Sequence, residues 1–238
     1  LRRILLNIIL FLLISILLMG CSEEINYYDN RYVIEYENNN ETIEMDGYNF
    51  SVNDGVLHIN SNNNIFEVEL PDKESTIRGF QLSYNKQYLS YDVKAKDGSI
   101  KVYVISLETG DVINLSDNIG YGSDYDGYKR PHGIAWSPTE NLVAFISGSA
   151  DNARVNIYHL EMDLNKQSHS ASFAFEDIYG LKWDVDGSSL YYVTPSVNDG
   201  SKYQVYKTEI LSDDYLGGSA VEIVEELTQK EFMKWFEK

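Results

Sequence analysis

Gly133-Ile-Ala-Trp-Ser-Pro-Thr-Glu-Asn-Leu-Val-Ala-Phe145 is the stretch that decides the fold, because the chain contains it three times in altered form. Gly79-Phe-Gln-Leu-Ser-Tyr-Asn-Lys-Gln-Tyr-Leu-Ser-Tyr91 and Gly180-Leu-Lys-Trp-Asp-Val-Asp-Gly-Ser-Ser-Leu-Tyr-Tyr192 align with it without gaps. Leu82, Trp136 and Trp183 fall at one position, 54 and then 47 residues apart, and Tyr91, Phe145 and Tyr192 at another. Each copy reads as a short apolar strand ending in a large side chain, a tight polar turn, and a second strand that alternates inward and outward.

Working outward, a third strand is expected after each pair, over residues 100–107, 155–162 and 203–211. In the first copy Glu108-Thr109-Gly110 turns the chain into a fourth strand over 111–115. Residues 47–76 read as a worn copy, with strands over 55–60 and 65–70. Self-similarity at this spacing, with four antiparallel strands per unit, marks a β-propeller blade. The expected fold class is therefore all-β: an array of about four four-stranded antiparallel blades, small, open or truncated. Thr228-Gln-Lys-Glu231 has the form of a capping box before Phe232 and Phe236, which predicts a short C-terminal helix over 229–237 that covers a sheet edge.

Trp136-Ser137-Pro138 with Leu142-Val143-Ala144-Phe145, Ile157-Tyr158, and Leu107-Glu108-Thr109-Gly110 resemble the propeller repeats of TolB. They are also similar to the N-terminal propeller of dipeptidyl-peptidase-IV-like proteins. The resemblance covers roughly residues 79–224 and departs from the pattern where Tyr84 and Val185 replace the turn proline. It implies a protein-binding role.

The N-terminus follows a different logic. Arg2 and Arg3 precede an apolar run over 4–19, broken only by Asn7 and Ser15, and Leu18-Met19-Gly20-Cys21 closes it. Basic, then apolar, then small is the order of a secretory signal peptide. The run is slightly short for a membrane span, which needs about 20 apolar residues, and it is apolar on every side yet abuts a polar, acidic segment at once, which speaks against a buried core helix. Ending on cysteine, it resembles the lipobox of bacterial lipoproteins, which implies lipid attachment at Cys21. The expected organisation is a lipoprotein signal peptide over 1–20 and an acidic polar tether over 21–45 whose 31–36 portion has strand character. A propeller-like domain over 46–228 and a C-terminal helix over 229–238 follow.

Without residues 1–20 the chain keeps 17 basic and 37 acidic side chains, a net charge near −20. Such a surface repels phosphate backbones, so nucleic acid is excluded as a partner. Membrane attachment is then expected from lipid rather than from a basic patch. Cys21 is the single cysteine. Once acylated it leaves no thiol for disulfides, nucleophilic catalysis or thiolate metal sites.

No G-x-S-x-G elbow occurs, and no pair among His58, His132, His159 and His169 has metal-ligand spacing on one element. Trp136 and Trp183 are expected to pack between blades, and Asp184 and Asp186 to shape a turn. The candidate binding loop lies between the first and second copies and carries Tyr121, Asp124, Tyr125, Asp126, Tyr128, Arg130 and His132. Tyrosines with an arginine are the residue types of a protein-contact hot spot. Asp124 and Asp126 could contribute to a calcium site, but the later ligands of an EF-hand loop are missing. No other cofactor is indicated.

The expected protein is a non-catalytic, lipid-anchored propeller facing the extracellular side or the periplasm, which binds a protein partner or an extracellular ligand. The alternative is a propeller subunit or shortened relative of a peptidase or other hydrolase, presenting or gating its substrate.

Overall fold

Two Asp-Gly pairs start the architecture. Asp46-Gly47 and Asp54-Gly55 all adopt positive φ, between 49° and 85°, the backbone that lets a two-residue hairpin follow the twist of its strands. They join β1 (Ile43–Met45), β2 (Tyr48–Asn53) and β3 (Val56–Asn60), and β4 (Ile65–Glu69) completes the first sheet. The computed structural model describes residues 27–28, 42–61, 64–118, 133–149, 152–161, 168–175, 178–210 and 222–235.

Three more sheets follow in chain order, each four-stranded and antiparallel. The second holds β5 (Thr76–Leu82), β6 (Tyr88–Lys94), β7 (Ile100–Ser106) and β8 (Val112–Asn114), after which α1 (Leu115–Asn118) forms a single turn. The third holds β9 (Ile134–Trp136), β10 (Leu142–Ser149), β11 (Asn152–His159) and β12 (Ser168–Phe175). The fourth holds β13 (Gly180–Trp183), β14 (Ser189–Pro195), β15 (Lys202–Glu209) and β16 (Glu222–Thr228), and α2 (Gln229–Trp235) ends the described chain. The all-β, propeller-like array of four blades with a short C-terminal helix is thus the observed fold. One expected strand sits three residues earlier than read: β11 pairs with β10 from the hairpin turn onward, so it begins at Asn152.

Neighbouring sheets pack face to face through alternate residues. Phe50, Val52, Leu57 and Ile59 of the first meet Phe80, Leu82, Leu89 and Tyr91 of the second, with the Phe50 and Phe80 rings stacked at 5.0 Å. Val102 and Val104 carry the core on to Trp136, Val143 and Phe145. Ala144, Ile146 and Ile157 then meet Leu181, Trp183, Leu190 and Tyr192. Each such fully buried large side chain contributes about 1.5–3 kcal/mol.

The two tryptophans of the repeat also reach back one sheet. Trp136 Nε1 donates to Ser90 Oγ at 2.9 Å and Gln81 O at 3.2 Å, and Trp183 Nε1 donates to Ala135 O at 2.9 Å. Both pack between blades, as the repeat predicts. The turns interlock as well. Gly187, at φ 76°, lies so close to the preceding sheet's turn that an added Cβ would sit 2.4 Å from Thr139 Oγ1.

The two outer faces of the array differ. Glu44, Asn49, Asn53, Glu67 and Glu69 face solvent from the first sheet, and His58 lies 3.4 Å from Glu67 there. The last sheet turns Tyr191, Val193, Val205 and Leu227 outward, under Phe232 and Trp235 of α2. The helix therefore covers a sheet face, not an edge as read from sequence. Its buried pair is Phe232 with Trp235, three residues apart and on one side of the helix, while Phe236 lies outside the described residues. The capping box forms: Thr228 N and Oγ1 donate to Glu231 Oε2 at 2.8 and 2.7 Å.

Candidate functional site

The predicted binding loop lies outside the described residues, with Tyr121, Asp124, Tyr125, Asp126, Tyr128, Arg130 and His132 all in it; so does Cys21. What the structure does give is the loop's two stems. Ser116 is fully buried, and its Oγ accepts from Val102 N at 2.9 Å. On the other side Gly133 O accepts from Ile146 N at 2.9 Å. The chain enters the third sheet at β9, which pairs with β10 and also contacts β5 and β13 of the adjoining sheets. β5 carries an arginine at a bulge, Arg78, whose Nε lies 3.4 Å from Asp92 Oδ2 with both side chains buried. A buried ion pair gains little net stability, because desolvation offsets most of its attraction.

A second constellation, missed at the level of sequence, is described in full. Tyr27 bridges to Asp184, and Tyr28 N donates to Trp183 O at 2.8 Å, so this part of the tether adds to the edge of β13. Successive residues of a strand face opposite sides. Tyr28 accordingly joins the core between the third and fourth sheets, and Tyr27 the core beneath α2. Tyr27 meets Tyr191 and Trp235 edge-on, at 5.1 and 5.6 Å between ring centroids. Lys182 completes the junction. Its Nζ donates to Trp235 O and stands 4.6 Å from the Trp235 ring and 5.3 Å from the Tyr27 ring. An ammonium at a helix C-terminus and over aromatic faces is favoured by the helix dipole and the ring quadrupoles.

Burial pushes the Tyr27 phenol well above its ordinary value. It also pushes Tyr191 up to about 12, helped by the charge of Asp184. Both phenols stay neutral across the physiological range. The junction packs the tether, the last sheet and α2 against one another. Sequence periodicity does not show it, since a two-residue bridge has no period.

In the comparisons with known proteins, no family model matches the sequence and no curated protein matches it. Solved structures do match. One, from a study of two prolyl endopeptidases, is 14% identical with a TM-score of 0.47, over 77% of this chain and 28% of that one. TolB from Acinetobacter baumannii is 14% identical with a TM-score of 0.43, over 71% of this chain and 37% of that one. The WD40 domain of Toxoplasma gondii coronin is 14% identical with a TM-score of 0.42, over 79% of this chain and 45% of that one. The chain spans well under two thirds of these structures' own length.

The remaining candidates have structural partners. Asp186 Oδ1 accepts from Ser188 N at 2.8 Å and Asp184 Oδ2 from the Tyr191 hydroxyl at 3.3 Å. His159 Nδ1 accepts from Glu161 N at 3.1 Å. Among the described residues, no group of three or more His, Cys, Asp or Glu side chains is placed to hold a metal ion. No described helix is long and apolar enough to cross a membrane.

Proposed function

We propose that the chain is a lipid-anchored cell-envelope protein whose propeller-like body acts by binding a protein partner or an extracellular ligand, not by catalysis. The observation that carries it is the sequence of residue types at the N-terminus, basic, then apolar, then small, closing on Cys21, the one cysteine of the chain. The acidic body supports the same division of labour: lipid supplies membrane affinity, and the folded surface is left for recognition. The loop over 119–132, held between the stems at Ser116 and Gly133, is the contact surface in this reading, since binding groups collect on loops positioned by rigid sheets.

Cell fractionation of the wild type and of Cys21→Ala tests the anchor. The variant should leave the membrane fraction and keep the β-sheet circular dichroism of the wild type. Retention in the membrane would overturn the anchor. Cross-linking of the lipidated protein in its own membranes tests the binding role. Replacing Tyr125 and Arg130 by alanine should abolish the captured product; reproducible turnover of peptides or glycosides by the pure protein would replace binding with catalysis.

A further inference from the structure

We infer that the fourth sheet and α2 form the membrane-facing end of the molecule, with Lys230, Met233 and Lys234 resting against the lipid headgroups of the bilayer that holds Cys21. The inference rests on the anchor proposed above. Its first ground is reach. Tyr27 lies six positions after Cys21, and a chain of that length spans at most about 22 Å even when fully extended. Tyr27 is not free to trail away from the body, because it is bridged to Asp184 and packed on Tyr191 and Trp235. A lipid at Cys21 therefore draws the α2 end of the array down to the bilayer. The expected tether over 21–45 does not let the body swing on its full length.

The second ground is the chemistry of the surface delivered there. Phe232 and Trp235 point into the protein, which leaves Lys230, Met233 and Lys234 exposed on the other side of α2. Met233 is 55% exposed. Two lysines flanking an apolar side chain suit a headgroup layer, where the ammonium meets phosphate and the thioether meets the acyl boundary. Of the carboxylates near α2, Glu226 pairs with Lys202 and Glu231 is held at the start of the helix by Thr228, while Glu222 and Glu225 stay exposed on β16. At the opposite end, the first sheet presents Glu44, Glu67 and Glu69 to solvent, which anionic headgroups repel.

The protein offers a clean test, because acylation consumes its one native cysteine and an introduced cysteine is then the sole labelling site. Met233→Cys and Ile65→Cys (Ile65 is 72% exposed, on the first sheet) are each labelled with an environment-sensitive dye. The lipidated protein is then reconstituted in phosphatidylcholine–phosphatidylglycerol vesicles containing a headgroup quencher. The label at 233 should be quenched about fivefold more than the label at 65, with a blue-shifted emission, as expected for a side chain at the headgroup layer. Adding Tyr27→Ala should abolish that contrast while the protein stays bound and folded. Equal quenching at both sites in protein whose Cys21 acylation is verified by mass spectrometry overturns the inference and leaves the anchor standing. An N-terminal peptide without acyl groups overturns the anchor itself, and this inference falls with it.

Discussion

Lys182 Nζ donates to the backbone carbonyl of Trp235 while standing over the Trp235 ring, 4.6 Å from its centroid. One side chain of β13 thus ties down the helix that covers the last sheet. It also touches the tether through Tyr27. Three parts of the chain that are distant in sequence are held by a single ammonium group.

Lys182→Met keeps the aliphatic stem and removes that ammonium. The Trp235 carbonyl loses its donor, at a cost of about 1–3 kcal/mol. The loss should appear in urea unfolding followed by tryptophan fluorescence, with faster proteolysis near α2. Unchanged stability and protease resistance would show that apolar packing alone holds the helix.

The backward-reaching tryptophans separate hydrogen bonding from packing. Trp136→Phe retains an aromatic ring but takes the indole N–H from Ser90 Oγ and leaves Gln81 O with the Ser90 hydroxyl as its side-chain donor, for a loss of about 1–3 kcal/mol. Trp136→Ala also opens a cavity between the second and third sheets and should cost about 3–5 kcal/mol. Equal losses in the two variants would mean that the indole N–H carries the whole contact.

Gly187→Ala meets two obstacles, the positive φ and Thr139 Oγ1. The left-handed backbone alone costs a non-glycine residue about 1–2 kcal/mol. The contact adds to that, and Thr139→Ala should return only the added part. A double-mutant cycle by thermal denaturation measures the coupling; strict additivity would show that the two turns do not press on each other.

Acid should weaken the hairpins and the start of α2 together. Hydrogen bonds from Ser99, Ser188 and Ser201 hold the carboxyls of Asp97, Asp186 and Asp199 below their usual range, and those from Thr228 do the same for Glu231. A carboxyl whose pKa is lowered on folding stabilises the fold above its unfolded value and loses that contribution as pH falls through the folded one. Melting temperature should therefore hold down to about pH 4 and decline below it. Replacing the three aspartates by asparagine should flatten the decline; an unchanged acid limb would place its origin elsewhere.

The inner strands were legible because each faces a core on both sides, as in β13 and β14, where Leu181, Trp183, Leu190 and Tyr192 meet the third sheet and Tyr191 and Val193 lie under α2. The outermost strands of the third and fourth sheets were not. β16, Glu-Ile-Val-Glu-Glu-Leu-Thr, is exposed along most of its length, and an edge strand gains from charge what it gives up in apolar alternation. β12, Ser-His-Ser-Ala-Ser-Phe-Ala-Phe, was missed although its serines alternate with His169, Ala171 and Phe173 at strand period. The first sheet could have been placed earlier, since Asp46-Gly47 and Asp54-Gly55 are strong hairpin signals. At the candidate site the sequence names the loop residues and the anchor cysteine, while the Tyr27–Lys182–Trp235 junction depends on tertiary proximity that no local pattern encodes.

The backward reach of Trp136 and Trp183 also gives the array a direction in time. Each sheet is built from consecutive hairpins, so its own pairings are local and quick to form. Each tryptophan then docks on backbone already made, and the blades can assemble in the order in which they are synthesised. Tyr27 is the exception: its partners, Asp184, Tyr191 and Trp235, are synthesised long after it. A segment made before all four sheets thus waits for the fourth, and its docking closes an order that the tryptophans run forward.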